Sequence, residues 1–176
     1  MSTLFVNNLN TASGSTITVP TGKQVIITDE GGLRVPGTVI QVVQNTSTTQ
    51  FSQGGTSFSD TNLNATITPK YQNSKILISV KQQCTFRMNT SAERAAYTRI
   101  QRDDGTQITN QLMKALVSSA TVFWFPTMFA VDVFDTPNRT NSVTYKTQGR
   151  LSNSAADLYY QHDSAPSTMI LMEIAQ

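Results

Sequence analysis

"LNATITP" (residues 63–69) and "KILISVKQ" (residues 75–82) decide how this chain folds. The first puts Leu63, Ala65 and Ile67 on one face, and the second does the same with Ile76, Ile78 and Val80, leaving Lys75, Leu77, Ser79 and Lys81 opposite. Side chains of a strand alternate between faces, so a period of two with one apolar face marks a strand covering a core on one side. Leu77 is the one apolar residue on the polar face. The pattern returns in "NSVTYKTQGRL" (141–151) through Val143, Tyr145, Thr147 and Leu151.

The terminal "STMILMEIAQ" (167–176) departs from this pattern. Ile170, Met172 and Ile174 make one face apolar, and Met169 and Leu171 make the other apolar too. Such a strand lies between two cores, or between its own core and a neighbouring subunit. Alternation does not say which set faces which way, so all five residues are candidate subunit contacts.

Turn clusters such as "SQGG", "DDG", "TPNR" and "SAPS" cut the remaining chain into roughly eight strands at spacings of about 8 to 15 residues, with no βαβ alternation. The expected fold is all-β, an antiparallel jelly-roll-like β-sandwich. Only "NQLMKALVSSA" (110–120) reads as a helix, or else as a loop packed by Leu112, Met113 and Leu116.

The character of the chain changes at Pro36 and Gly37. Upstream, "SGSTITVPTGKQVIITDEGGLRVPG" (13–37) alternates apolar and polar residues in scraps of three or four, each cut off by Gly or Pro. Strands that short bury too little apolar surface to offset their ordering entropy, so something outside them must complete them. Residues 1–37 therefore read as an N-terminal β appendage and residues 38–176 as the head domain.

Of the 176 residues, 38% are hydrophobic and 14% charged, with a net charge of +2. The polar surface is carried by Thr, Ser, Asn and Gln, which suits a rigid, extracellular or particle-borne β protein. Basic residues are scattered singly, without interleaved aromatics, so nucleic-acid binding is not expected. Cys84 is the only cysteine and His162 the only histidine. One cysteine excludes an intrachain disulfide and any multi-cysteine zinc site, and Cys84 within a β-like run reads as a small buried side chain.

"MSTLFVNNLN" has neither the basic start nor the apolar centre of a signal peptide, which points to synthesis in the cytoplasm. The longest apolar stretch, "ATVFWFPTMFAVDVF" (120–134), is too short for a bilayer and is broken by Pro126 and Asp132, so membrane insertion is not expected. No phosphate loop, dinucleotide fingerprint, zinc-protease motif or serine elbow occurs. Asp103, Asp104 and Gly105 read as a hairpin turn rather than paired catalytic carboxylates. No enzymatic activity, catalytic residue, cofactor or metal is expected. The remaining chemical feature is "DLYYQHD" (157–163), where Tyr159, Tyr160 and His162 stand beside acidic residues in the manner of a carbohydrate site. The competing reading puts Tyr160 in the core and leaves Tyr159 partly exposed.

Three stretches together, "FVNNLNTASGSTITVPTGKQVIITDEGGLRVPGTVIQVVQ" (5–44), "TSFSDTNLNATITPKYQNSKILISV" (56–80) and the terminal "STMILMEIAQ", resemble structural proteins of tailed bacteriophages, especially marine and cyanobacterial ones. The resemblance implies a homotrimer on the virion surface. Three copies of the N-terminal scraps would wrap one threefold axis and complete one another, with the terminal strand as a trimer contact. It also implies attachment through the N-terminal segment to a major capsid protein or a tail or neck protein. The short lead-in favours a capsid decoration or cement protein over a short tail fibre or fibre tip that binds a host receptor or surface glycan.

Overall fold

The computed structural model describes residues 18–28, 35–88, 92–117, 122–152 and 157–176, without the side chains of residues 88, 92–94, 116 and 117. The expected appendage scraps within 1–17 and 29–34 lie outside the described residues. The described residues form ten strands: β1 (Val39–Ser47), β2 (Phe51–Gln53), β3 (Ser59–Ile67), β4 (Lys75–Met88), β5 (Ala92–Arg102), β6 (Gln107–Val117), β7 (Phe123–Asp135), β8 (Val143–Leu151), β9 (Asp157–Tyr160) and β10 (Ser167–Ile174). A single 3-10 turn, His162–Ser164, separates β9 from β10.

The two sheets are antiparallel. One has the order β1-β10-β4-β7, with β9 and then β2 continuing it beside the second half of β4, and the other has the order β3-β8-β5-β6. Successive long strands change sheet at every connection except the β5–β6 hairpin, which is the winding of a jelly roll. That hairpin closes at Asp103 to Gly105, where Gly105 has φ +90° and Asp104 Oδ1 accepts the Thr106 N–H at 2.9 Å.

β4 is the spine of the first sheet. One edge pairs with β7 along its whole length, while the other pairs with β10 over Lys75–Lys81 and with β9 over Cys84–Arg87. The gap between β9 and β10 falls at Gln83, whose carbonyl accepts the Gln161 N–H (3.1 Å) and whose N–H donates to Ser167 Oγ (3.0 Å).

Period two places the core as read from sequence. Leu63, Ala65, Ile67, Ile76, Ile78, Val80, Val143, Tyr145 and Leu151 are all buried between the sheets, joined by Phe86, Ile100, Phe129 and Leu158. Each large side chain so buried contributes about 1.5–3 kcal/mol. Cys84 is fully buried and unpaired, and burial pushes its thiol up to about 12, so it stays protonated and inert at neutral pH.

The stretch 110–120 is neither helix nor packed loop over its described part. It forms most of β6, paired with β5 through Tyr97↔Leu112 and Ala96↔Met113. Met113 and Ala115 turn inward while Leu112 is exposed, a period of two that pairing with β5 enforces. Residues 118–120 lie outside the described residues.

A polar layer crosses the middle of the core. Thr61 and Thr147 hydroxyls meet at 2.6 Å, Gln82 Nε2 donates to Thr61 Oγ1 at 2.8 Å, and the Tyr160 and Thr98 hydroxyls meet at 2.7 Å. The Gln161 amide joins them with its oxygen toward Gln82 Nε2 (2.9 Å) and its nitrogen toward the carbonyls of Tyr160 (3.1 Å) and Thr61 (3.2 Å). Pairing of buried polar groups is what makes such a layer tolerable.

Tyr160 reaches this layer by lying flat over Gly149 of β8. A Cβ on Gly149 would stand 2.6 Å from Tyr160 Cζ and 2.7 Å from Cε2, and nearer still to its hydroxyl. Gly149→Ala should therefore destabilise the head by about 1–3 kcal/mol through overpacking. The loss should shrink in a Tyr160→Leu background, a coupling that a double-mutant cycle in urea measures directly.

At the far end of the core, β10 carries Glu173 on its inner face, fully buried. Burial pushes its carboxyl up, but the Gln41 amide and the backbone N–H groups of Lys70 (2.8 and 3.0 Å) and Tyr71 (3.2 Å) outweigh burial and hold it below the usual glutamate value. A depressed folded value stabilises the native state above the unfolded value and loses that effect as pH falls. Glu173→Gln should cost about 1–3 kcal/mol at pH 7. Urea unfolding at a series of pH values should show the difference from wild type shrinking as pH falls below the ordinary value of 4.5.

Candidate functional site

The outer face of the β4 sheet carries two features, one at each end. At the C-terminal end of β4, strand alternation turns Leu158 and Tyr160 inward and Asp157 and Tyr159 outward, with Tyr159 opposite Thr85. β7 places Trp124 opposite Arg87 on the same face, 42% exposed. Gln161 then takes a left-handed conformation (φ 50°), and the reversal sets His162 against both rings.

Trp124 and His162 have ring centroids 4.7 Å apart and Trp124 and Tyr159 5.5 Å, both pairs tilted, while Tyr159 and His162 meet edge-on at 5.3 Å. The Arg87 guanidinium lies 5.8 Å from the centre of the Trp124 ring and pairs with Asp157 at 3.1 Å. Both partners are well exposed, so the pair orients side chains more than it stabilises the fold. Gln83 supports the cluster: its Oε1 accepts the His162 N–H (3.2 Å) and its Nε2 donates to Thr85 Oγ1 (2.9 Å). Gln83, Thr85, Trp124, Pro126, His162 and Asp163 line an open groove of about 550 Å³.

Tyr159 and His162 thus come together as the sequence suggested, and Tyr160 does not join them. It points into the core, where its hydroxyl is held by Thr98. Trp124 escaped the sequence reading, although alternation in "FWFPTMFAVDVF" carried the signal: Trp124, Pro126, Met128 and Phe134 share one face. Pro126 fits there because β7 pairs with β4 alone among the described residues, and proline belongs on edge strands.

The second feature lies about 26 Å away, eight residues back along β4 at about 3.3 Å each. Val42, Met172, Leu77 and Phe134 stand in register across β1, β10, β4 and β7, forming one apolar row on the outer face. Val42 is 56% and Phe134 57% exposed. Ile170, Met172 and Ile174 belong to this face, whereas Met169 and Leu171 are sealed in the chain's own core. Ser79, Asp132, Lys81 and Thr168 occupy the surface between row and groove.

Among the described residues no group of three or more His, Cys, Asp or Glu could hold a metal ion, and no helix is long and apolar enough to cross a membrane.

No protein-family model matches the chain, and no curated protein does. Solved structures similar to it include the infectious bursal disease virus Gt strain (19% identity, TM-score 0.40, 87% of this chain and 41% of that one). Infectious bursal virus derived T=1 particles give 18% identity and a TM-score of 0.39 over 87% and 41%, and the VP2 subviral particle of infectious bursal disease virus 17% and 0.36 over 77% and 38%. The chain spans about two-fifths of the length of these proteins.

Proposed function

We propose that the chain is a structural protein of a virus particle, a homotrimer at the virion surface that decorates or cements the capsid, with residues 1–37 as the attachment appendage. The observation that carries this reading is the apolar row of Val42, Met172, Leu77 and Phe134. A jelly roll has satisfied its own core once its two sheets close, so a four-strand row left on the outer face needs a partner. A second copy of the chain supplies it by symmetry. The appendage makes the same demand: Val25 and Ile26 are apolar and 69% and 70% exposed among the described residues. The tailed-phage resemblance of the sequence supplies the threefold symmetry and the particle.

A short tail fibre or fibre tip contacting a host receptor is the second reading. The ring cluster of Trp124, Tyr159 and His162 favours it, since a cement protein has no need of an aromatic groove. Quantitative mass spectrometry of purified particles separates the two: copies sufficient to cover the capsid support decoration, and a handful per particle support the fibre.

Light scattering of the isolated protein should give a trimer mass, and a monomer at micromolar concentration would overturn the assembly. Met172→Asp places an unpaired charge in the row and should yield folded monomers, whereas Leu171→Asp places it in the core and should unfold the subunit. Circular dichroism and sedimentation read the two outcomes, and trimeric Met172→Asp protein would count against the row as the contact.

A further inference from the structure

We infer that the groove beside Trp124 binds a neutral pyranose sugar, stacked on the Trp124 ring, which Tyr159 and His162 hold in place, and hydrogen-bonded by Thr85 and Asp163. This rests on the receptor-contact reading of Tyr159 and His162, and not on the trimer or on where the protein sits in the particle.

The rings come from three different segments, the start of β7, β9 and the turn after it, and meet on the solvent side of the sheet. They do not serve the core, which closes beneath them with Leu158 and Tyr160. A pyranose ring has a C–H face that stacks on aromatic carbon and an edge of hydroxyls that needs donors and acceptors. The groove offers both. Trp124 and Pro126 give an apolar wall, the Thr85 hydroxyl accepts from Gln83 and retains its own proton to donate, and the Asp163 carboxylate, largely in solvent, accepts.

Charge selects the class of sugar. Arg87 is paired with Asp157 at 3.1 Å, and the charged side chain lining the groove is the carboxylate of Asp163, so no free cation among the lining residues faces a ligand. An acidic sugar would find no free cation there.

Backbone geometry is the independent observation. Gln161, Asp163 and Ser164 all have positive φ (50°, 53° and 60°), in a stretch of four residues without a glycine. Such conformations persist only where surrounding contacts over-determine them, and they cluster at ligand sites. Here the Gln83 carbonyl and side chain hold the turn, together with the amide of Gln161 buried in the core. The turn that carries His162 and Asp163 is thus set before any ligand arrives, which removes an ordering loss from binding.

Trp124 is the only tryptophan of the chain, so selectively excited tryptophan fluorescence reports on this groove. The isolated full-length protein is titrated with the neutral methyl pyranosides of glucose, galactose, mannose and N-acetylglucosamine, and with the anionic galacturonate and sialate glycosides. At least one neutral glycoside should give a saturable change in the millimolar range or tighter. Tyr159→Ala and His162→Ala should each weaken it by about tenfold while leaving the circular dichroism spectrum unchanged. His162→Ala keeps the test decisive should the tyrosine variant fold poorly, because it removes a ring that contributes nothing to the core. The proposal is overturned by silence across the panel at tens of millimolar, by tighter binding of the anionic glycosides, or by a response that folded His162→Ala protein retains in full. If every sugar is silent and the free protein still blocks adsorption of the parent particle, the sugar fails and the receptor reading stands. If a neutral sugar binds and adsorption is unaffected, the site is confirmed and the receptor reading fails.

Discussion

The structure depends on β4 pairing with two different strands along one edge. A 14-residue strand is long enough to take β10 on its first half and β9 on its second, and the chain must leave one and enter the other within a few residues. Backbone groups of β4 at the junction would be orphaned inside a sheet, where an unpaired donor or acceptor carries the full desolvation penalty. Gln161 and Ser167 fill that role by bonding the carbonyl and N–H of Gln83. The geometry needed to do so forces the left-handed turn between them, and with it the position of His162.

The same junction explains the polar layer in the core. Gln161 turns inward as the chain reverses, and an amide buried between sheets must find partners. Gln82, Thr61 and the Tyr160 carbonyl provide them, while Thr147 and Thr98 satisfy the hydroxyls on either side. Gly149 belongs to this arrangement because any side chain there would displace the Tyr160 ring. Inner polar layer and outer aromatic cluster are two sides of one turn: Tyr160 and Gln161 enter the core where Tyr159 and His162 leave it.

The outer face of the β4 sheet then divides by chemistry. At one end four strands align apolar residues in a row, at the other three rings cluster beside an open groove, and the residues between are mainly polar.

Sequence alone determined the fold class and most of the core. Period-two alternation in 63–69, 75–82 and 141–151 is a local property of each strand, and a one-residue slip would turn every apolar residue to water, so those residues fix their own facing. The terminal strand lay beyond that logic because both its faces are apolar. Pairing with β1 and β4 decided it, sealing Met169 and Leu171 in the core and turning Ile170, Met172 and Ile174 outward. Residues 110–117 carry too weak a pattern to choose between helix and strand, and the β5 edge chose for them. Tyr159 and His162 were legible as polar-flanked aromatics, but Trp124 is more than thirty residues away in the chain and joins them only through the register of β7 and β9 on β4. A cluster built across three strands is a property of pairing, which no local stretch of sequence contains.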